Sequence, residues 1–482
     1  MTESAEFGRI VLIVAAAFAL AVAGRRITEW VRVPAPGLFL VGAAVASAAY
    51  DPLGRVLSVQ EVERVGVVAI ILILFDGGIA IGLERLRRVI WPVLLLGVLG
   101  TLLVAGIVAC AAHGLLGLPW TPSLLLGGAI APTDPAVMFS VLGGRDIHSP
   151  AGDIVKGESG ANDPVSIALV LGVLAYRDAS SPALGVAGSF GLEMVVGLAV
   201  GVLGGLGLRQ AIRRFALPDE ELYPLRTLAG AGVVYGLASV LHGSGFLAVF
   251  VAGVLIGDAR APYKAAIERF HTSLGTMAEI VVFTALGLTI ALGTLDVRSV
   301  LLDGALIALV VTLVARPLVV ALLLLRAGLS RAERVYAAWA GMKGAVPILL
   351  GAFVLLEQGP DARRLYGMIF VVVVMSVFLQ GTTIEFAARR LGIVMTPVEQ
   401  EPWDLSLRFT EEPQGVRRYT VEPGAPADGT AIRDLDGDGA WVSMVIRDGA
   451  PLTPHRDTVL HAGDEVLLLD AGDESGIYES DR

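Results

Sequence analysis

The sequence of 482 residues contains little cysteine and little charge. Its only cysteine, Cys110, lies in an apolar run, so an intrachain disulfide is impossible and a site built from several thiolates is excluded. Charged residues make up 17% of the chain, against about 25% in a soluble domain. The sequence also lacks a recognisable nucleophile–histidine set or metal-ligand set, which argues against a membrane enzyme or sensor.

The sequence has instead an excess of apolar residues. They make up 55% of the chain, its mean hydropathy is +0.73, and they fall in runs of about 18–28 residues. Helices of that length cross the hydrocarbon core of a bilayer, which is roughly 30 Å thick. We therefore predict a polytopic membrane protein. Its first run, GRIVLIVAAAFALAVAG, is expected to be a span rather than a removed signal peptide, because no basic region precedes it.

The apolar runs predict about thirteen transmembrane helices. They lie near residues 8–24, 34–50, 62–83, 89–112, 121–143, 151–176, 185–208, 224–242, 244–258, 272–292, 299–325, 334–356 and 366–388. Arginine is concentrated in alternate loops, for example at Arg85, Arg87 and Arg88, and loops rich in arginine face the cytoplasm. This pattern predicts an N-terminus outside and a C-terminus inside, as an odd number of spans requires.

Residues 397–482 differ in character and predict a small α+β cytoplasmic domain that follows a transmembrane domain of residues 1–396. They carry 19 acidic and 7 basic residues, a balance that argues against nucleic acid as a partner. Turn residues separate three runs typical of strands, VRRYTVE, AWVSMVIRDG and DEVLLLDA. The segment TAIRDL is compatible with one short helix.

Two of the predicted spans are interrupted by glycine and proline. They are LLLGGAIAPTDPAVMFSVLGG and VYAAWAGMKGAVPILLGAFVLL. In transporters built from inverted repeats, two discontinuous helices often meet at the binding site. Because Asp134 precedes Pro135, we expect the first helix to unwind around residues 131–133 and to restart at Pro135. Thr133 and Asp134 then face the gap, where freed backbone carbonyls can coordinate a cation.

The second break carries Lys343, whose charge can compensate the partial charges of broken helix ends. For each break the alternative is a simple proline kink.

A further feature is GESGANDPVS, residues 157–166, which brings two acids into a predicted span. Glu158 and Asn162 are four residues apart, as are Ser159 and Asp163, so the four side chains form one stripe on a helix. Ionisable groups within a span are rare and usually mark an ion or proton path.

Arg316 is nearly alone in the apolar run TLVARPLVVALLLL. A buried arginine stays charged and needs a carboxylate, so we expect Glu158 to pair with it and Asn162 to help hold the pair. Asp163 is then left without a permanent counter-charge and can hold a proton or, after losing it, a cation. Alternatively, both acids belong to a fixed buried network that only specifies packing.

Two other features each allow two interpretations. Asp76, in ILILFDGGIAI, is either paired structurally or part of the access path. Gly197, Gly201 and Gly205 recur at four-residue spacing within an apolar helix, which favours close helix packing over a nucleotide-binding loop.

The motifs APTDPA, GESGANDP, VARP and AGMKGAVP resemble the signatures of cation:proton antiporters of the NhaP type, over about residues 8–390. The resemblance implies an all-α membrane fold of thirteen helices with inverted repeats and two broken helices, usually a homodimer, in the inner membrane of a prokaryote. The cation ligands that it implies are Thr133, Asp134, Ser159 and Asp163. It also implies a structural ion pair of Glu158 and Arg316 with Asn162, no cofactor, and no metal other than the transported monovalent cation. Exchange would be one-for-one and electroneutral, because an asparagine precedes Asp163.

The tail is similar to a TrkA-C module, the C-terminal half of regulators of potassium channels and transporters. The resemblance rests on RRYTVEPGAPADGTAIRDL and RDGAPLTPHRDTVLHAGDEVLLL. It implies K⁺ as the favoured cargo and a small regulatory ligand, cyclic di-AMP or another nucleotide, on the tail. No glycine-rich nucleotide-binding half precedes the module, so control by a dinucleotide is not implied.

The sequence therefore predicts a secondary transporter that exchanges K⁺, with Na⁺ as the alternative, for H⁺ by competition at Asp163. The second class is a cation channel opened by the tail. Channels use rings of carbonyls or charges around an open pore, whereas here the acids are expected to be buried beside Arg316. Turnover distinguishes the two classes, because only exchange moves a proton against each cation.

Overall fold

The computed structural model describes residues 8, 12, 34–50, 53–55, 57–134, 138, 145–147, 149–176, 182–259, 261, 263–290, 297–357, 359, 361–397, 417–435, 441–447 and 450–469. The chain divides into two compact units. One comprises Met1–Ala259 and Lys264–Leu405, and the other comprises Arg260–Tyr263 and Ser406–Arg482. The first predicted span, residues 8–24, lies almost entirely outside the described residues.

The first unit is built of helices, as its long apolar runs predict. The α-helices are α1 Ala35–Ala49, α2 Val59–Leu94, α3 Thr101–Leu116, α4 Trp120–Ile130, α5 Pro150–Tyr176, α6 Pro182–Arg214, α7 Leu222–Val240, α8 Gly245–Gly257, α9 Lys264–Leu288, α10 Val297–Leu309, α11 Arg316–Leu323, α12 Arg331–Trp339, α13 Ala345–Leu356, α14 Ala362–Met375 and α15 Gly381–Leu391. Within the described residues, five helical stretches are long and apolar enough to cross a bilayer, and three shorter helices are also apolar. The chain is thus a helical membrane protein, while the number of thirteen spans stays a prediction.

Three π-helical turns join helices that follow one another directly. They are Leu95–Gly100 between α2 and α3, Val310–Ala315 between α10 and α11, and Ser376–Gln380 between α14 and α15. Turns of this kind widen a helix locally and often occur at functional sites.

Helix α2 is bent at Gly82, close to the point where the sequence predicts one span to end. Gly82 has a φ of 63°, and a Cβ there would overlap the carboxylate of Asp258. The same carboxylate accepts the backbone N–H of Glu84 at 2.6 Å. Asp258 therefore caps the part of α2 that follows the bend.

The glycine-rich span packs closely on a neighbouring helix, which confirms that interpretation of its glycines. A Cβ at Gly197 would lie 2.6 Å from the carbonyl oxygen of Ser244, and one at Gly201 would lie 2.7 Å from that of Ala248. Since no side chain fits at these distances, α6 approaches α8 with backbone against backbone.

Two short strands connect distant parts of the first unit. Strand β1, Arg145–Ile147, precedes α5, and strand β2, Met395–Pro397, follows α15. They pair antiparallel with Ile147 opposite Met395, and Ile147 is buried in the core of the unit. The segment that leads to the tail is thus hydrogen-bonded to the loop that precedes the acidic helix.

The tail forms a small antiparallel sheet with the strand order β3-β6-β4-β5. Its strands are β3 Arg417–Thr420, β4 Trp441–Arg447, β5 Ala450–Leu452 and β6 Glu465–Leu469. Three of them lie in the predicted strand-like runs, and β5 is additional. The core between them contains Val421, Val442, Val445, Leu460, Val466 and Leu468.

The short helix with which TAIRDL is compatible is a single 3₁₀ turn in the structure, Ile432–Asp434. The backbone N–H of Ile432 donates to the carbonyl of Thr458 at 2.9 Å, and Ala431 forms a β-bridge with Val459. The backbone groups of this segment therefore bond to a distant loop, and too few of them remain for a helix longer than this turn.

Candidate functional site

The first broken span ends its helix where the sequence predicts. Helix α4 ends at Ile130, and residues 131–134 are not helical. Thr133 is buried in this stretch. The predicted restart at Pro135 lies outside the described residues.

The second broken span opens between α12 and α13, and its loop bonds directly to the first break. The backbone N–H of Asp134 donates to the carbonyl of Met342 at 2.8 Å. In the other direction, the ammonium of Lys343 donates to the carbonyls of Ala131 at 2.9 Å and Pro132 at 3.0 Å. The two breaks therefore interlock, and a simple kink at each of them is excluded.

The sequence predicts that carbonyls freed at the first break coordinate a cation, but two of them accept hydrogen bonds from a lysine. At the first break, the carbonyls of Ala131 and Pro132 bind the Lys343 ammonium, which is itself buried. Lys343 thus balances the partial negative charge of the open helix end.

Arg316 and Glu158 form the ion pair that the sequence predicts. Both guanidinium ends donate to the carboxylate, one of them at 2.7 Å, and the side chains are only 4% and 1% exposed. The guanidinium also donates to the carbonyl of Ala337 at 3.2 Å. Gly341 leaves room for this arginine, since a Cβ there would lie 2.5 Å from its Nε.

Asn162 does not hold this pair in the way that the sequence suggests. Its Nδ2 donates to the hydroxyl of Thr133 at 2.8 Å, and its Oδ1 accepts no hydrogen bond from any described residue. Asn162 lies about 100° from Asp163 around the helix, on the side that faces Thr133. The amide therefore links α5 to the first break instead of to Arg316.

Asp163 is buried on α5 without a complete set of partners. It is 6% exposed, and within the described part of the chain its Oδ1 has no hydrogen-bond partner. The charges that act on it are those of Asp134 and Lys343. A buried oxygen without a partner is costly, and a proton on the carboxyl or a cation against it would satisfy this oxygen.

Two hydroxyls lie on the same face of α5 as Asp163. Ser159 and Ser166 are one turn before and after it, and both are buried. The hydroxyl of Ser166 has no hydrogen-bond partner among the described residues. The sequence analysis missed Ser166, although its spacing from Asp163 extends the polar stripe by one turn.

The sequence analysis also missed Ser376 and Gln380, which bond to the second break. Both are buried in the last π-helical turn, and the backbone N–H of Lys343 donates to Ser376 Oγ. Polar residues four apart in the apolar run VVVVMSVFLQGTTIEF are the same signal that singled out Glu158 and Asn162.

Asp76 has a hydrogen-bond partner and also lies at a cavity, so both interpretations of this residue stay open. Its carboxylate accepts from the hydroxyl of Thr272 at 3.1 Å, and it lines a cavity of about 360 Å³. Other polar side chains of this cavity are Arg85, Asp258, Glu268 and Thr272. The described residues contain no group of three or more His, Cys, Asp and Glu side chains that could hold a metal ion.

Comparisons with known proteins agree with this geometry. The transmembrane domain of the sodium/hydrogen exchangers matches residues 11–390, and the TrkA-C domain matches residues 416–470. The K⁺/H⁺ antiporter NhaP of Alkalimonas amylolytica is 31% identical over 474 residues, which are 95% of this chain and 80% of that protein. The K⁺/H⁺ antiporter NhaP2 of Shewanella sp. (strain MR-4) is 30% identical over 83% of this chain and 70% of its own.

The Na⁺/H⁺ antiporter NhaP of Pseudomonas aeruginosa is 28% identical over 66% of this chain and 79% of its own. Among solved structures, the sodium proton antiporter MjNhaP1 from Methanocaldococcus jannaschii has a TM-score of 0.68 at 24% identity, over 80% of this chain and 98% of that one. That likeness shows a shared fold, and the sequence matches show common descent. The chain therefore belongs to the sodium/hydrogen exchanger family of cation:proton antiporters, which are secondary transporters and not enzymes.

Proposed function

We propose that this chain exchanges K⁺ for H⁺ one for one, by competition of the two ions at Asp163. The observation that carries the proposal is the buried carboxylate oxygen of Asp163, which has no hydrogen-bond partner in the described structure. Such an oxygen is satisfied either by a proton on the carboxyl or by a cation against the carboxylate. Since the two cannot bind there together, each cation that enters displaces one proton.

The proposed cation ligands are Asp163, Asp134, Ser159 and Thr133. Thr133 and Asp134 belong to the first break, and Ser159 and Asp163 share a face of α5. The backbone of Asp134 is held by Met342, and the hydroxyl of Thr133 is held by Asn162. Ligands that are held in place before the ion arrives lose little entropy when they bind it.

Electroneutral exchange is proposed because Asp163 is the carboxylate at which one cation and one proton compete. Glu158 is occupied by the two-pronged contact with Arg316, and the residue before Asp163 is the neutral Asn162. One titrating carboxylate exchanges one charge for one charge, so the membrane potential does not drive the cycle.

The cargo proposed is K⁺, because the relatives from Alkalimonas and Shewanella are named K⁺/H⁺ antiporters and because a TrkA-C domain follows the exchanger domain in this chain. The alternative is Na⁺ with the same mechanism, since the relative from Pseudomonas aeruginosa is named a Na⁺/H⁺ antiporter. The number of oxygens around the ion and the size of the cavity decide between the two ions.

The proposal includes the arrangement of the whole molecule. It is a homodimer in the inner membrane of a prokaryote, with the N-terminus outside and the tail in the cytoplasm. Residues 1–396 form the transport domain, and residues 397–482 form a regulatory domain that binds a small ligand such as cyclic di-AMP or another nucleotide. The arginine-rich loops and the match to a TrkA-C domain support this arrangement.

The test is proton movement in proteoliposomes of the purified full chain, followed with a pH dye while an ionophore clamps the voltage. K⁺ and Na⁺ are added in parallel over a series of pH values. We expect K⁺ to drive proton flux better than Na⁺, and the variant Asp163→Asn to abolish the flux because an amide releases no proton. Faster flux with Na⁺ would favour the alternative cargo, and normal flux in Asp163→Asn would overturn the assignment of the site.

A further inference from the structure

We propose that Ser376 and Gln380 are positioning residues that hold the second broken helix open and thereby set the affinity for the cation. The inference rests on the proposed function, because the affinity concerned is that of the site around Asp163. The hydrogen bonds described for the two side chains reach Lys343 and Trp339 rather than the proposed cation ligands. Both side chains act through the backbone of Lys343, to which they are linked by hydrogen bonds.

The two side chains stand in the place of one missing helical hydrogen bond. In a continuous helix, the backbone N–H of Lys343 would donate to the carbonyl of Trp339, four residues earlier. In this structure the helix ends at Trp339 and the two groups are separated. Instead, the N–H of Lys343 donates to Ser376 Oγ at 2.9 Å, this hydroxyl donates to Gln380 Oε1 at 2.5 Å, and Gln380 Nε2 donates to the carbonyl of Trp339 at 2.8 Å.

The donor and acceptor of each hydrogen bond in this relay are fixed by the two backbone groups at which the relay begins and ends. The N–H of Lys343 can only donate, and the carbonyl of Trp339 can only accept. Ser376 must therefore accept from the first and pass its own hydrogen to Gln380, and the amide of Gln380 must turn its Nε2 towards Trp339. Serine and glutamine can each donate and accept, which a relay between a donor and an acceptor requires.

Burial makes the relay difficult to replace by water. Ser376 is 4% exposed and Gln380 is 1% exposed. A buried N–H or carbonyl that loses its partner bears its desolvation cost without compensation. Without the relay, a direct hydrogen bond from the N–H of Lys343 to the carbonyl of Trp339 becomes favourable, and forming it would close the break.

A π-helical turn in the last span contains both Ser376 and Gln380. Ser376 and Gln380 are the first and last residues of the π-helical turn between α14 and α15. The indole of Trp339 donates to the hydroxyl of Thr383 at 3.1 Å, a second link to the same span. The turn thus faces the end of α12.

The relay affects the cation site because Lys343 is hydrogen-bonded both to the relay and to the first break. Its backbone is held by Ser376, and its ammonium donates to the carbonyls of Ala131 and Pro132, directly before Thr133. If the second helix closed, the backbone of Lys343 would turn and its ammonium would leave the first break. A change of cation affinity is therefore expected, beyond any loss of stability.

The experiment compares variants of the full chain in proteoliposomes, with the cation concentration for half-maximal exchange and the maximal rate measured separately. Ser376→Ala and Gln380→Met remove the relay, and Ser376→Thr retains a hydroxyl. Ser47→Ala is the matched control, because Ser47 is also buried and donates to a carbonyl, that of Leu288, at 3.1 Å. We expect the half-maximal concentration to rise about tenfold in the first two variants, equivalent to ~1.4 kcal/mol, and to stay normal in the other two.

An unchanged half-maximal concentration in Ser376→Ala, with only less folded protein, would overturn the proposal. Hydrogen exchange of the backbone amides of residues 340–344 gives a second readout that needs no transport. We expect faster exchange at Lys343 in Ser376→Ala and Gln380→Met than in the unaltered chain and in Ser47→Ala. If the unaltered chain moves no ions, the proposed function fails, while this readout still decides whether the relay holds the break.

Discussion

At the scale of single residues, the acidic helix α5 gives two carboxylates different tasks. Glu158 is held by Arg316 in a buried two-pronged contact, whereas Asp163, five residues later, has an oxygen without a partner among the described residues. Five residues on a helix correspond to about 140° of rotation, so the two acids face different neighbours. The structure thus gives Glu158 a fixed partner, and the proposed exchange of cation and proton is assigned to Asp163.

Removing one member of the buried pair should destabilise the protein strongly. Arg316→Ala leaves Glu158 buried and unpaired, which typically costs about 3–5 kcal/mol. Replacing both residues, as in Glu158→Leu with Arg316→Met, should cost less than the single change, because no charge is left buried. Thermal unfolding of the purified variants in detergent measures both effects, and a double variant less stable than Arg316→Ala would contradict this account.

At the scale of elements, the two broken helices function as one unit. The N–H of Asp134 bonds to the loop of the second break, and Lys343 of the second break bonds to the first. Gly344 lies where they touch, since a Cβ there would overlap the carboxylate of Asp134. The closeness of the two loops therefore depends on a residue without a side chain.

Gly344→Ala should impair exchange by displacing the carboxylate of Asp134. A shift of ~1 Å at a reacting group lowers the rate of an enzyme by up to about 100-fold, and we expect a loss of similar size in the rate of exchange. Gly106→Ala in α3 is the matched control, because no atom of the described residues lies within 4 Å of the position of its Cβ. The initial rate of cation-driven proton flux measures the effect, and equal rates for the two variants would show that the breaks tolerate a side chain.

At the scale of the whole molecule, the chain joins a membrane unit to a small sheet with its own core. The sheet has a charge pair of its own, in which the carboxylate is buried and the arginine is partly exposed. Asp464 accepts from Arg447 Nε at 2.8 Å and Nη2 at 2.7 Å, and from the backbone N–H of His461 at 2.8 Å. Burial by itself raises the pKa of the Asp464 carboxyl, but the hydrogen bonds from Arg447 and His461 together outweigh it and lower that pKa below its usual value.

The stability of the tail should consequently depend on pH in the acidic range. Since the pKa of Asp464 is lower in the folded tail than the value of about 3.9 for an unfolded chain, its contribution is present above pH ~4 and is lost as the pH falls through the folded value. Asp464→Asn should lower the stability of the tail at neutral pH by about 1–3 kcal/mol. Hydrogen exchange of strands β4 and β6 in the full chain measures this stability.

The variant Asp464→Asn is also the control for the pH dependence of the stability of the tail. The part of the pH dependence that belongs to Asp464 should disappear in Asp464→Asn. A tail that loses stability in the variant with the same acid dependence as in the unaltered chain would show that another group titrates.

Several contacts were predictable from the sequence and several were not. The ion pair of Glu158 with Arg316 follows from charge alone, because a lone arginine in an apolar run needs a carboxylate. The bond from Asn162 to Thr133 does not follow, since it depends on how close the first break comes to α5. The relay of Ser376 and Gln380 does not follow either, because it depends on how closely two consecutive spans pack.

The sequence by itself determined that the chain crosses a membrane, that two of its spans are broken, and which ionisable groups lie inside. Apolar length, helix-breaking residues and the cost of buried charge are local properties and can be read along the chain. The tertiary structure alone decided that Lys343 reaches the carbonyls of the first break, and that Asp163 keeps an oxygen without a partner in the described structure. The physical reason is that hydrogen bonds are directional and act over about 3 Å, so only packed helices decide which groups meet.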